Sequence, residues 1–141
     1  MKRVCRRELG VALVEFALVL PVLLLVVFGI INYSILLFDQ AIITNAAREG
    51  ARWGSINTTK TTTAVCSSAS TGTTDPCGVA NSYAASGLIT FGSGAVSASS
   101  EGDGTTRSEV TVTVTYHFTG LGYSLTSLDN ELTARAVMYH E

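Results

Sequence analysis

Charged residues are scarce in this chain, 14% of the total, and they leave a net charge of -2. No dense basic face is available to neutralise phosphates, so nucleic acid is not an expected partner. Histidine occurs twice, at His117 and His140, and neither shows metal-ligand spacing such as HxxxH or a neighbouring CxxC. No nucleophile elbow, phosphate loop or paired-carboxylate pattern is present. Glu101 and Asp103 alternate with glycines and read as a turn. The sequence therefore predicts no catalytic, cofactor-binding or metal-binding residues, and an enzyme is not expected. With 141 residues there is room for one modest domain and not for two of ordinary size.

Hydrophobic residues, in contrast, reach 47%, and they are unevenly placed. A greasy N-terminal third precedes a remainder rich in Ser, Thr and Gly. From Phe16 to Phe38 there is no formal charge, and a helix of that length spans roughly 35 Å, enough to cross a bilayer. A removable secretory signal would have an apolar region of about 7 to 15 residues followed by a small-x-small site. This run is longer, and Leu36-Leu37-Phe38-Asp39-Gln40-Ala41 offers no such site. Lys2, Arg3, Arg6 and Arg7 precede the run, whereas Asp39, Arg48, Glu49 and Arg52 beyond it nearly balance. The positive-inside tendency then places the N-terminus in the cytoplasm and exports the C-terminal part.

Helical character continues past the apolar run. Ile42, Ile43, Ala46, Ala47, Ala51 and Trp53 form a stripe beside Asn45, Arg48, Glu49 and Arg52. The spacing predicts a helix from about Val11 to about Trp53, with Gly54-Ser55 as its stop and Gly50 as a weaker one. Half of such a helix stands outside the membrane. Pro21 lies within it, removing one backbone hydrogen bond and clashing with the Ala17 carbonyl, which predicts a kink. Proline is also tolerated in membrane helices without any special role.

Residues 57–76 read as an exposed loop of Thr, Ser and Gly, with Cys66 inside it and Cys77 just beyond. Asn57-Thr58-Thr59 matches the glycosylation triplet but is assigned no function. Gly78 to Ile89 is predicted as a short helix with Val79, Tyr83 and Leu88 on one side and alanines supplying propensity. Ala95 to Ser99, Glu109 to Phe118 and Leu132 to His140 read as strands. The middle one is clearest, because Val110, Val112, Val114 and Tyr116 alternate with Thr111, Thr113, Thr115 and His117. The expected fold class is α+β: a long N-terminal helix whose outer half packs on a small antiparallel sheet with a short helix.

Three cysteines look awkward for an exported protein. The topology separates them: Cys5 faces the reducing side, and Cys66 and Cys77 face the side where a bridge persists. A disulfide between Cys66 and Cys77 is expected, closing a short loop and worth about 3 kcal/mol on the chain-entropy estimate.

One acid stands at the edge of the apolar run. Glu15 follows Leu9-Gly10-Val11-Ala12-Leu13-Val14 and precedes Phe16, where a carboxylate is unfavourable unless something neutralises it or water reaches it. By itself it could snorkel to headgroups. The run Arg6-Arg7-Glu8-Leu9-Gly10, then Val11 to Phe16, then Ala17-Leu18-Val19-Leu20-Pro21 resembles the start of type IV prepilin-like proteins. It looks most like the TadE/TadF minor pseudopilins of the tight-adherence (Flp) pilus. The resemblance extends through Asn45-Ala46-Ala47-Arg48-Glu49-Gly50-Ala51-Arg52, and more loosely through 110–116 and 132–138.

That resemblance implies a prepilin peptidase cutting between Gly10 and Val11 on the cytoplasmic face, with Glu15 and Phe16 as recognition and assembly residues. Cleavage creates an amine, largely protonated at neutral pH with its typical pKa near 7.7, as a partner for Glu15. In the pilin class the pairing runs between neighbouring subunits and sets axial register.

The implied organisation is a leader over 1–10, a long helix over 11–54 with its membrane span at about 16–38, a disulfide-bearing loop over 55–78 and an exported α+β region over 79–141. The implied function is that of a minor pseudopilin in the bacterial inner membrane. It would pack into a pilus, or stand at its base or tip, and contact the major pilin, other minor pseudopilins, the processing peptidase, the assembly platform and the lipid bilayer. The alternative is a single-pass anchored module whose exported sheet binds a surface ligand.

Overall fold

The computed structural model describes residues 5–56, 72, 74–89, 96–101, 109–120 and 130–139, with the side chains of 5–9 and 130 left out of the description. The element order is α1 (Cys5–Ile56), α2 (Pro76–Gly87), β1 (Val96–Glu101), β2 (Glu109–Phe118) and β3 (Asn130–Tyr139). A long apolar helix, a short helix and an antiparallel sheet make the fold α+β, as the sequence predicts. The chain divides into two compact units, Met1–Ser34 and Ile35–Glu141.

Within the first unit, α1 is an uninterrupted α-helix that contains Pro21. The helical form satisfies every backbone group internally except those at proline and the ends, which suits a segment that has almost no polar side chains to help. Ser34 Oγ donates to the Ile30 carbonyl at 2.8 Å, so this hydroxyl too is satisfied within the helix. The helix begins at Cys5 rather than near Val11 and ends at Ile56 rather than near Trp53. Gly10 therefore lies inside helical backbone.

The second unit contains the outer part of α1, the helix α2 and the sheet. β2 is central, antiparallel to β1 and β3. Val114 stands between Ala98 of β1 and Ala134 of β3, and Tyr116 between Val96 and Leu132. This register places Val110, Val112, Val114, Tyr116 and Phe118 on one face, where all are buried. They share one core with Ile43, Ala46, Ala47 and Ala51 of α1 and with Cys77, Ala80 and Ala84 of α2. Each buried valine contributes about 1.5–3 kcal/mol, so β2 is the main apolar source of the sheet. Its opposite face is mixed: Thr111 is buried, Thr113 and Thr115 are half-buried, and His117 is exposed.

Two glycines expected to stop α1 instead lie within it. A Cβ on Gly50 would come within 2.7 Å of the Pro76 carbonyl oxygen and 3.0 Å of Ala80 Cβ, and one on Gly54 within 2.8 Å of Val110 Cγ1. Their role is close approach, not termination.

The short helix is shifted from its expected place at 78–89. Asp75 caps it, its side chain accepting from the Gly78 amide, and Pro76 occupies the first turn, the position where proline's missing N–H costs nothing. At the other end the Leu88 amide donates to the Ala84 carbonyl at 3.0 Å and the chain turns extended. The buried face of α2 is Pro76, Cys77, Gly78, Ala80, Asn81 and Ala84. Tyr83, expected on one side with Val79 and Leu88, is 42% exposed, because small residues let α2 approach α1 more closely than an aromatic would. β1 and β3 also begin and end one or two residues away from their expected bounds. The Asn57-Thr58-Thr59 triplet, the turn at 102–104, Cys66 and His140 lie outside the described residues.

Candidate functional site

The first candidate surface is the N-terminal part of α1. Gly10 and all side chains from Val11 to Ile31 are exposed, among them Val11, Phe16 and Leu18, the last at 71%. So broad an apolar surface on one helix is incompatible with water and marks a membrane or protein partner. The helix is long and apolar enough to cross a membrane, and its apolar window is not buried in the protein. A membrane anchor fits it.

Glu15 is the acid within this surface. It is exposed and makes no hydrogen bond or ion pair among the described residues. Helical geometry sets it four residues after Val11, hence on the same face of α1. Phe16 is exposed beside it. Around Gly10 there is open space: an added Cβ would meet nothing within 4 Å. Pro21 follows one and a half turns after Glu15, in the same exposed helix. The structure thus places Gly10, Val11, Glu15, Phe16 and Pro21 along one exposed stretch of α1, where the acid has no partner among the described residues.

The second cluster lies where the apolar run ends. Asp39, the first charged residue after Phe38, is fully buried. Its Oδ1 accepts a hydrogen bond from the Ile89 amide at 3.0 Å. Its Oδ2 and the hydroxyl oxygen of Tyr116, also buried, have no hydrogen-bond partner. Burial raises the Asp39 carboxyl above the ordinary carboxylate range, opposed by the Ile89 amide bond. Burial, and then the nearby Asp39 carboxylate, push the Tyr116 hydroxyl up as well. Sequence reading missed this cluster, since a lone acid closing an apolar run reads as a boundary marker, and its contacts come from residues far along the chain. Neighbouring Gln40 donates to the Thr133 carbonyl of β3 at 3.4 Å.

Cys77 is buried in the core and disulfide-bonded; Cys66, its expected partner, lies outside the described residues. No cluster of three or more His, Cys, Asp or Glu able to hold a metal ion occurs among the described residues.

No curated protein and no solved structure matches the chain. The family described as TadE-like protein does match, over residues 10–52, which is the part of α1 that carries the exposed apolar surface, Glu15 and the start of the folded core; the long helix is consistent with that of a TadE-like protein of the tight-adherence pilus system.

Proposed function

We propose that the chain is a minor pseudopilin of a tight-adherence pilus, made as an inner-membrane precursor and processed after Gly10. The observation that carries this reading is the TadE-like match, which begins at Gly10 and runs along α1. The exposed apolar face of that helix supports it, since a filament subunit must exchange lipid for neighbouring helices along the same surface.

The steps follow from the residues. The basic leader holds the N-terminus in the cytoplasm and the region beyond α1's apolar run is exported. A membrane peptidase cuts the Gly10–Val11 bond, removing Lys2, Arg3, Arg6 and Arg7 and leaving a protonated amine on Val11. Because Gly10 sits in helical backbone and glycine weakens a helix by roughly 0.5–1 kcal/mol relative to alanine, the scissile segment opens at small cost. Glu15 of one subunit then meets the Val11 amine of a neighbour. A subunit one turn out of register would leave a carboxylate unpaired in an apolar setting, at a cost of about 3–5 kcal/mol, and would be rejected. The protein acts as a structural or assembly component, in contact with the major pilin, other minor pseudopilins and the assembly platform, and carries out no catalysis.

Two substitutions test the proposal in the native host. A Cβ added at Gly10 meets nothing within 4 Å, so for Gly10→Leu retention of the precursor size on an immunoblot reports failed recognition by the peptidase. Glu15→Ala is expected to be processed normally yet lost from pulldowns of the other pilus subunits. Incorporation of the Glu15 variant at the normal level refutes the register mechanism.

A further inference from the structure

We propose that Asp39 is a proton-controlled latch that holds the segment following α2 onto α1. This goes beyond the pseudopilin reading and does not rest on it. Three observations converge on the site. Asp39 is completely buried although it is a carboxylic acid. One of its oxygens carries the Ile89 amide, fifty residues away in sequence. The other oxygen, and the buried hydroxyl of Tyr116, find no hydrogen bond.

The surroundings decide which protonation state the site holds. The segment after α2 brings a backbone amide, β2 brings Tyr116, and the next residue of α1, Gln40, is uncharged. No cation pairs with Asp39 among the described residues. One neutral-donor hydrogen bond does not replace the water removed from a carboxylate, so the buried site favours the neutral acid. Neutral Asp39 keeps the Ile89 bond and needs no counter-charge. When the proton leaves for solvent, the charge on Oδ2 is left buried without a hydrogen-bond partner, and the least costly response is to release the Leu88–Ile89 segment, which is not part of a helix or strand and is extended at Leu88. Water then reaches the carboxylate.

The sign follows from linkage. The folded-state affinity for the proton exceeds that of the open state, so the latch is fully held below the ordinary carboxylate range. It weakens as pH rises through that range toward the raised folded value. Over that window the opening equilibrium constant increases by up to about tenfold per pH unit, the limit for one proton.

The test uses the full chain in detergent micelles. Amide hydrogen exchange at Ile89, expressed as a protection factor between pH 4 and 8, is expected to fall as pH rises in the natural sequence and to stay flat in Asp39→Asn, whose amide group copies the neutral acid. A protection factor independent of pH, or an equal fall in Asp39→Asn, overturns the proposal. Should Asp39→Asn fail to fold, the carboxyl carbon shift of Asp39 in labelled natural protein decides: a titration midpoint above the ordinary range supports the latch, and one within that range overturns it.

Discussion

Replacing Gly50 by alanine tests how closely α1 and α2 approach. In an exposed helix interior this change stabilises by roughly 0.5–1 kcal/mol, because alanine loses less backbone freedom on folding. At position 50 the new Cβ would stand 2.7 Å from the Pro76 carbonyl oxygen and 3.0 Å from Ala80 Cβ. The first of these is backbone at the capped start of α2, which cannot swing aside as a side-chain tip could. Overpacking of this kind costs typically 1–3 kcal/mol, so the clash outweighs the propensity gain and a net loss of about 1–2 kcal/mol is expected. For a folded unit of this size that lowers Tm by several degrees. Gly29→Ala is the control, since nothing lies within 4 Å of its added Cβ and only the propensity gain remains. Fluorescence of Trp53, the single tryptophan, reports unfolding of the region around α1 during a thermal ramp in detergent. A Gly50→Ala protein that melts at the natural temperature or above would refute the close packing.

Other consequences follow from the same core. Tyr116→Phe removes a buried hydroxyl that has no hydrogen bond and is expected to leave Tm unchanged or raise it, whereas Tyr116→Ala should cost about 3–5 kcal/mol; a marked fall in Tm for the phenylalanine variant would reveal a bond the hydroxyl makes. Mass spectrometry with and without reductant should shift the segment that holds both cysteines by about two daltons if Cys77 is bridged to Cys66, and chemical denaturation after reduction should show a loss of about 3 kcal/mol. Asp75→Ala deprives the Gly78 amide of its cap and is expected to lower stability by roughly 1 kcal/mol, read as an earlier denaturation midpoint with an unchanged slope.

Much of this architecture is legible in the sequence where a pattern is long and its cause is local. The apolar run to Phe38 announces α1, and the Val/Thr alternation announces β2 at its observed bounds. What escapes is set by partners distant in the chain. Gly50 and Gly54 look like stop signals because glycine ends many helices, yet they are there to admit Pro76, Ala80 and Val110. The start of α2 is harder to place because the Asp75-Pro76 pair reads as loop chemistry, although the same pair is a helix cap followed by proline in the first turn. Tyr83 carries the largest apolar side chain of α2 and still faces outward, since helix–helix distance and not residue hydrophobicity chose the packed face. Asp39 shows the same limit most sharply: nothing near it in sequence foretells that the Ile89 amide and Tyr116 will enclose it.

Glu15 is different in kind, for the partner proposed for it is an amine that only cleavage would free. Within the described residues it has no ion pair, and the proposed cut would provide one by freeing the Val11 amine. Mass measurement of the mature protein from its native host tests this most directly. The expected product is a chain that begins at Val11, lighter than the full sequence by residues 1–10; a mature protein that still carries Met1 or Lys2 contradicts the proposed cut.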